Sequence, residues 1–201
     1  MDTIMRSNIS FCIIVLFLCT IFISCKPKPL PEPKPTGYFR IDLPQHQYRT
    51  MDTALPFLYE QSVFANTTIE KRNDNTLWMT VSYPDMKASL RFTCFEVPNA
   101  DSLRKLMISE DKMVKFHYQK ADDVQYSVIH APESNIWGQT YEIYGKEVAT
   151  PFQFWLTDST HRFVRATLYF DETPNNDSLQ PVIQYLKADA LHLINTFEWK
   201  P

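Results

Sequence analysis

From Tyr38 onward, apolar and polar residues alternate with a period of two over most of the chain, as they do in strands that turn one face to a core. The alternation predicts strands near 38–43, 57–64, 77–83, 86–97, 124–131, 141–148, 152–157 and 162–170. Short polar clusters interrupt it at Asn73-Asp74-Asn75, Pro84-Asp85 and Asp158-Ser159-Thr160. Strands joined so briefly pair antiparallel. Two segments follow the helical period instead. The first, about 101–119, sets Leu103, Leu106, Met107, Met113, Val114 and His117 on one stripe, with Asn99 or Asp101 as its cap. The second begins near Pro181, a residue pre-set for a first helical turn, and sets Val182, Ile183, Leu186, Ala190, Leu193, Ile194 and Phe197 on one face.

Each apolar stripe needs an apolar surface to cover, and the predicted strands offer two. Trp155, Phe163 and Tyr169 share one strand face, whereas Phe154, Leu156, Val164, Ala166, Leu168 and Phe170 share the other. The expected fold is therefore α+β, an antiparallel β-sheet with helices packed on both faces. The order of strand, long helix, strands and closing helix is similar to the α/β/α sandwich of the Mog1/PsbP type, an analogy of pattern that implies no function.

The chain opens differently. A short polar stretch with one basic residue, Arg6, leads into a charge-free run from Ile9 to Ser24, the n-region and h-region of a signal peptide. At about 1.5 Å per residue this run makes a helix of roughly 24 Å, short of the roughly 30 Å hydrocarbon core of a bilayer. It ends in Phe22-Ile23-Ser24-Cys25, which resembles the lipobox of bacterial lipoproteins, with Phe22 where that pattern prefers Leu. Residues 1–24 are read as a lipoprotein signal peptide and Cys25 as the lipidation site, whose sulfur takes a diacylglyceryl group. The plainer alternative makes Cys25 a third cysteine of the apolar segment, after Cys12 and Cys19. Each buried methylene contributes about 0.8 kcal/mol, and two or more acyl chains hold a protein stably at a membrane.

Residues 25–36 are the cysteine and a spacer with proline at every second position, Pro27, Pro29, Pro31, Pro33 and Pro35. Proline fixes φ and removes a donor, so the spacer is expected to be an extended polyproline II stalk rising about 3.1 Å per residue. A ligand for a proline-recognising module is the other reading. Residues 37–201 suit a single globular domain with its own core.

Composition narrows the function by exclusion. A net charge of −3 with no basic stripe gives no sign of a nucleic-acid partner. Once the signal peptide is removed and Cys25 is lipidated, Cys94 is the remaining cysteine, so no intramolecular disulfide is expected. Its place in the alternation Met86, Ala88, Leu90, Phe92, Cys94 points it into the core, as an inert thiol rather than a nucleophile. With only 3 glycines, the chain builds neither a dinucleotide fingerprint nor a P-loop, and no cofactor is expected.

His46, His117, His130, His161 and His192 lie far apart, without H-E-x-x-H or Cys-x-x-Cys spacing, so no metal ligand is assigned. The chain has no G-x-S-x-G, and Ser82, Ser89 and Ser127 read as ordinary strand residues. Asp122-Asp123 and Asp171-Glu172 fall at element ends, as solvated charges do. No catalytic residue is assigned. Tyr38, Arg40 and Asp42 share a face of the first predicted strand, as an edge ion pair or as a binding face near the stalk. The 14 Phe, 10 Tyr and 4 Trp exceed the needs of a small core, which leaves rings for a partner surface.

The segment Pro33-Lys34-Pro35-Thr36-Gly37-Tyr38-Phe39-Arg40-Ile41-Asp42-Leu43-Pro44, a few residues after the lipobox cysteine, resembles the opening of the gliding motility lipoproteins GldD of Bacteroidota. The likeness continues through Pro56-Phe57-Leu58-Tyr59, the 101–119 helix and Asn195-Thr196-Phe197-Glu198-Trp199. It implies a cell-envelope component required for gliding and associated with the type IX secretion machinery, with other gliding and secretion envelope proteins as partners. Surface-exposed lipoproteins of that phylum often carry an acidic cluster after the cysteine. Here the positions read Lys26-Pro27-Lys28-Pro29, which favours a periplasm-facing anchor.

Two functions are expected on these grounds. One is a non-enzymatic component or assembly factor that docks on envelope partners. The other is a periplasmic ligand-binding or hydrolytic lipoprotein whose site gathers scattered groups such as His130, Asp123 and His161.

Overall fold

The computed structural model describes residues 41–73, 76–117 and 119–201. Contacts group the chain into two units, Met1–Gly37 and Tyr38–Pro201, and every described strand and helix belongs to the second. Cys25, the proline-rich spacer, Tyr38 and Arg40 lie outside the described residues.

The described strands are β1 (Tyr48–Met51), β2 (Phe57–Ser62), β3 (Asn66–Asn73), β4 (Thr76–Tyr83), β5 (Ala88–Glu96), β6 (Asp123–Ala131), β7 (Ile136–Tyr144), β8 (Phe152–Thr157), β9 (Arg162–Phe170) and β10 (Glu198–Trp199). Two helices, α1 (Ala100–His117) and α2 (Asn176–Asn195), accompany them. A seven-stranded sheet runs in the order β3-β4-β5-β9-β8-β7-β6, antiparallel throughout. A three-stranded sheet, β1-β2-β10, is antiparallel as well.

Alternation along the strands loads both faces of the large sheet. Met79, Leu90, Phe92, Cys94, Phe154, Leu156, Val164, Ala166 and Leu168 pack with Val182, Tyr185, Leu186, Ala190 and Leu193 of α2 and with Phe57 and Tyr59 of β2. On the opposite face Tyr141, Ile143, Trp155 and Phe163 pack with Leu103 and Val114 of α1. The fold is α+β with a helix on each face, and the division of Trp155 and Phe163 from Phe154, Leu156, Val164, Ala166 and Leu168 is the one the alternation predicts.

Several boundaries differ from the sequence pattern. Residues 41–43 form no strand, and the first strand among the described residues is β1. β3, NTTIEKRN, has one large apolar residue, Ile69, so its strand character comes from pairing with β4 and leaves no alternation to read. β7 spans Ile136–Tyr144, earlier than 141–148, because the chain turns at Gly145, whose φ is +150°. Within β7, Gly138 lies against β8, where an added Cβ would stand 2.2 Å from the Trp155 carbonyl oxygen. α2 begins at Asn176 and not near Pro181, which lies inside it. The Asn176 amide donates to the carbonyls of Gly145 and Val148 at 2.8 Å each, and this pins the first turn to the loop after β7. No helix among the described residues is long and apolar enough to cross a membrane.

Candidate functional site

A buried polar cluster forms near where the described chain begins. Tyr185, Asp189 and His192 recur at i, i+4 and i+7 along α2 and so share one stripe. His46 and Tyr48 are two residues apart in an extended segment and project to the same side. The two sets meet ring against ring and clamp the segment to the helix. His46 stacks on Tyr185 with centroids 4.2 Å apart, and Tyr48 stacks on His192 at 3.5 Å.

Asp189 organises the contact. Its side chain is buried, and Oδ1 accepts from the Tyr48 hydroxyl at 3.0 Å and lies 2.6 Å from His46 Nδ1. Tyr48 is held well above the usual tyrosine range by burial first, then by the Asp189 charge and hydrogen bond. Tyr83, at the end of β4, is raised by the same causes in the same order. His192 Nε2 lies 2.7 Å from Glu60 Oε2 on β2. Asp189 Oδ2 and the Tyr185 hydroxyl are buried and have no hydrogen-bond partner of ordinary geometry among the described residues.

Tyr83 also lines a cavity of about 470 Å³, together with Ile41, Asp42, Leu43, Pro44, Phe64, Asp85 and Met86. The segment that precedes the clamp thus forms one wall of the cavity. A second cleft, of about 270 Å³, lies between β7 and the start of α2. There Glu142 meets Lys187 Nζ at 2.5 Å and accepts from the Tyr144 hydroxyl at 2.6 Å. Burial alone would raise the Glu142 carboxyl, but Lys187 and Tyr144 together hold it below its usual value.

A histidine paired with a buried carboxylate has the form of a general base. His46 lacks the rest of such a site. The hydroxyls of this cluster belong to Tyr48, Tyr83 and Tyr185, all pushed towards the protonated form, and Ser62 is fully buried. Cys94 lies in the core, where burial pushes its thiol up to about 12. No group of three His, Cys, Asp or Glu side chains placed to hold a metal occurs among the described residues.

The scattered groups do not converge. Asp123 and His130 lie at opposite ends of β6, seven residues and roughly 23 Å apart. His161 sits in the turn between β8 and β9, with β7 and β8 intervening between it and His130. The cluster that does form is signalled in the sequence by Asp189, a carboxylate on the stripe between Leu186, Ala190 and Leu193. Glu110 is the equivalent in α1, buried beneath Arg165 of β9 at 3.1 Å.

A family model described as gliding motility lipoprotein GldD matches residues 28–199. Comparison with curated proteins gave no match.

Proposed function

The chain belongs to the gliding motility lipoprotein GldD family, and from that premise we propose that it is a non-enzymatic component or assembly factor of the gliding and type IX secretion machinery. Cys25 carries the lipid that holds it to a membrane, facing the periplasm. Residues 1–24 are its signal peptide, the proline-rich spacer is its stalk, and residues 37–201 dock on other envelope proteins. The helix on each face of the sheet supports kinship with the Mog1/PsbP-type sandwich.

One observation carries this reading. The polar groups best suited to chemistry, His46, Asp189 and His192, are bonded and stacked so as to fix the arriving segment to α2. The test is affinity purification of tagged full-length chain, unsubstituted and Cys25→Ala, from membranes in mild detergent, with mass spectrometry of what co-purifies. Secretion and motility envelope proteins are expected with the unsubstituted chain and depleted with Cys25→Ala. Recovery of no specific protein with either form contradicts the proposal.

The cavity beside Tyr83 favours a second reading, a periplasmic ligand-binding lipoprotein, since about 470 Å³ falls within the size range of small-molecule sites. Its walls are chiefly apolar, with the carboxyl groups of Asp42 and Asp85 and the Tyr83 hydroxyl among them. Met86→Trp would fill the cavity, and loss of gliding with unchanged co-purifying proteins would favour this reading over docking.

A further inference from the structure

The two edges of the seven-stranded sheet are built differently. An open edge presents unpaired N–H and C=O groups, and proteins commonly blunt it with charge, proline or a bulge. β3 does so, with Glu70, Lys71 and Arg72 in its sequence and a register shift between Lys71 and Asn73. β6 does not. Its nine residues, DVQYSVIHA, pair with β7 in unbroken register from Asp123 to Ala131 and contain no Lys, Arg or Pro. On its α1-facing side, Tyr126 is 68% and Val128 73% exposed. Tyr126 pairs with Tyr141, whose hydroxyl donates to Asp111 of α1 at 2.7 Å. Ile108, one turn before Asp111 on α1, is 48% exposed.

We propose that β6 is a self-association edge, pairing antiparallel with β6 of a second copy of this chain about a two-fold axis through Ser127. The residue pattern around that axis is what selects a second copy over an unrelated strand. With Ser127 opposite Ser127, Tyr126 of each copy faces Val128 of the other on the α1 side, and Gln125 faces Ile129 on the other side. An aromatic residue opposite a β-branched one is a favourable cross-strand pair. The single acidic residue of the strand, Asp123, falls opposite the uncharged Ala131, so no like charges meet. The contact is isologous and closed, and joins two seven-stranded sheets edge to edge. It requires nothing of the docking proposed above, and a shared membrane would raise the effective concentration of the two copies.

The test is cysteine cross-linking of full-length chain in the membranes of its own cells. Directly opposed residues of an antiparallel pair lie about 4.5–5.5 Å apart at Cα, within disulfide range. Ser127→Cys is expected to give an oxidised homodimer, identified by mass spectrometry, at roughly ten times the yield of Gln125→Cys, whose twin lies four residues along the strand. Adding Tyr126→Lys and Val128→Lys to Ser127→Cys is expected to abolish the dimer while the domain keeps its unfolding transition. The unsubstituted chain, with Cys94 buried, sets the background. Absence of a Ser127→Cys dimer, equal cross-linking of Gln125→Cys, or a disulfide to a different protein each overturns the proposal. None of these outcomes depends on which proteins co-purify with the chain.

Discussion

Asp189 sits on the buried stripe of α2, where a carboxylate without partners costs several kcal/mol. It is tolerated because His46 and Tyr48 arrive from outside the helix to meet it. Asp189→Ala is expected to lower stability by about 2–3 kcal/mol, and Tyr48→Phe by about 1 kcal/mol, both read from urea unfolding midpoints. Equal losses would mean that Asp189 serves Tyr48 alone. The Glu142 carboxyl is held below its usual 4.5 by Lys187 and Tyr144 against the opposing effect of burial. A carboxyl whose value is lowered on folding stabilises the fold above its unfolded value and loses that contribution as pH falls through its folded value. Glu142→Gln should therefore be less stable than the unsubstituted chain at pH 7, and the gap should shrink as pH falls from 4.5 downward. A gap that is constant with pH contradicts the assignment.

At the scale of elements, legibility in the sequence tracks burial. β8 and β9, in the middle of the sheet, match the alternation at both ends, and Leu103, Leu106, Met107 and Val114 of the expected α1 stripe pack on the sheet, whereas Met113 is exposed. β3 is hidden because an edge strand with one apolar residue is defined by its neighbour rather than by its own pattern. The start of α2 is hidden because Asn176 is fixed by carbonyls from a distant loop, a tertiary contact that no local signal announces. The clamp is half legible. Asp189 breaks the apolar stripe of its helix, but its partners lie 141 and 143 residues away, beyond any spacing rule. Gly138 gives the corresponding prediction. Gly138→Ala would drive a Cβ into the Trp155 carbonyl, and is expected to cost at least about 2 kcal/mol in a denaturant titration. A loss below about 0.5 kcal/mol would show that β7 and β8 can move apart freely.

At the scale of the molecule, the fold gives each of its parts a different task. α1 and α2 close the two faces of the sheet, and β1, β2 and β10 tie the arriving and departing ends of the domain together, with Lys200 Nζ 2.7 Å from Asp52. His130, His161 and Asp123 stand apart on its periphery and take part in none of these contacts as a group. The central claim is that the chain works by docking and not by catalysis. It is tested most directly by the gliding speed of a deletion strain complemented with full-length chain carrying His130→Gln, His161→Gln and Asp123→Asn together, measured with its abundance and its co-purifying proteins. Cells that hold the variant at normal abundance should glide at the speed given by the unsubstituted chain. Immotile cells in which the variant accumulates normally and retains the same co-purifying proteins would contradict the claim and point to chemistry at one of those groups.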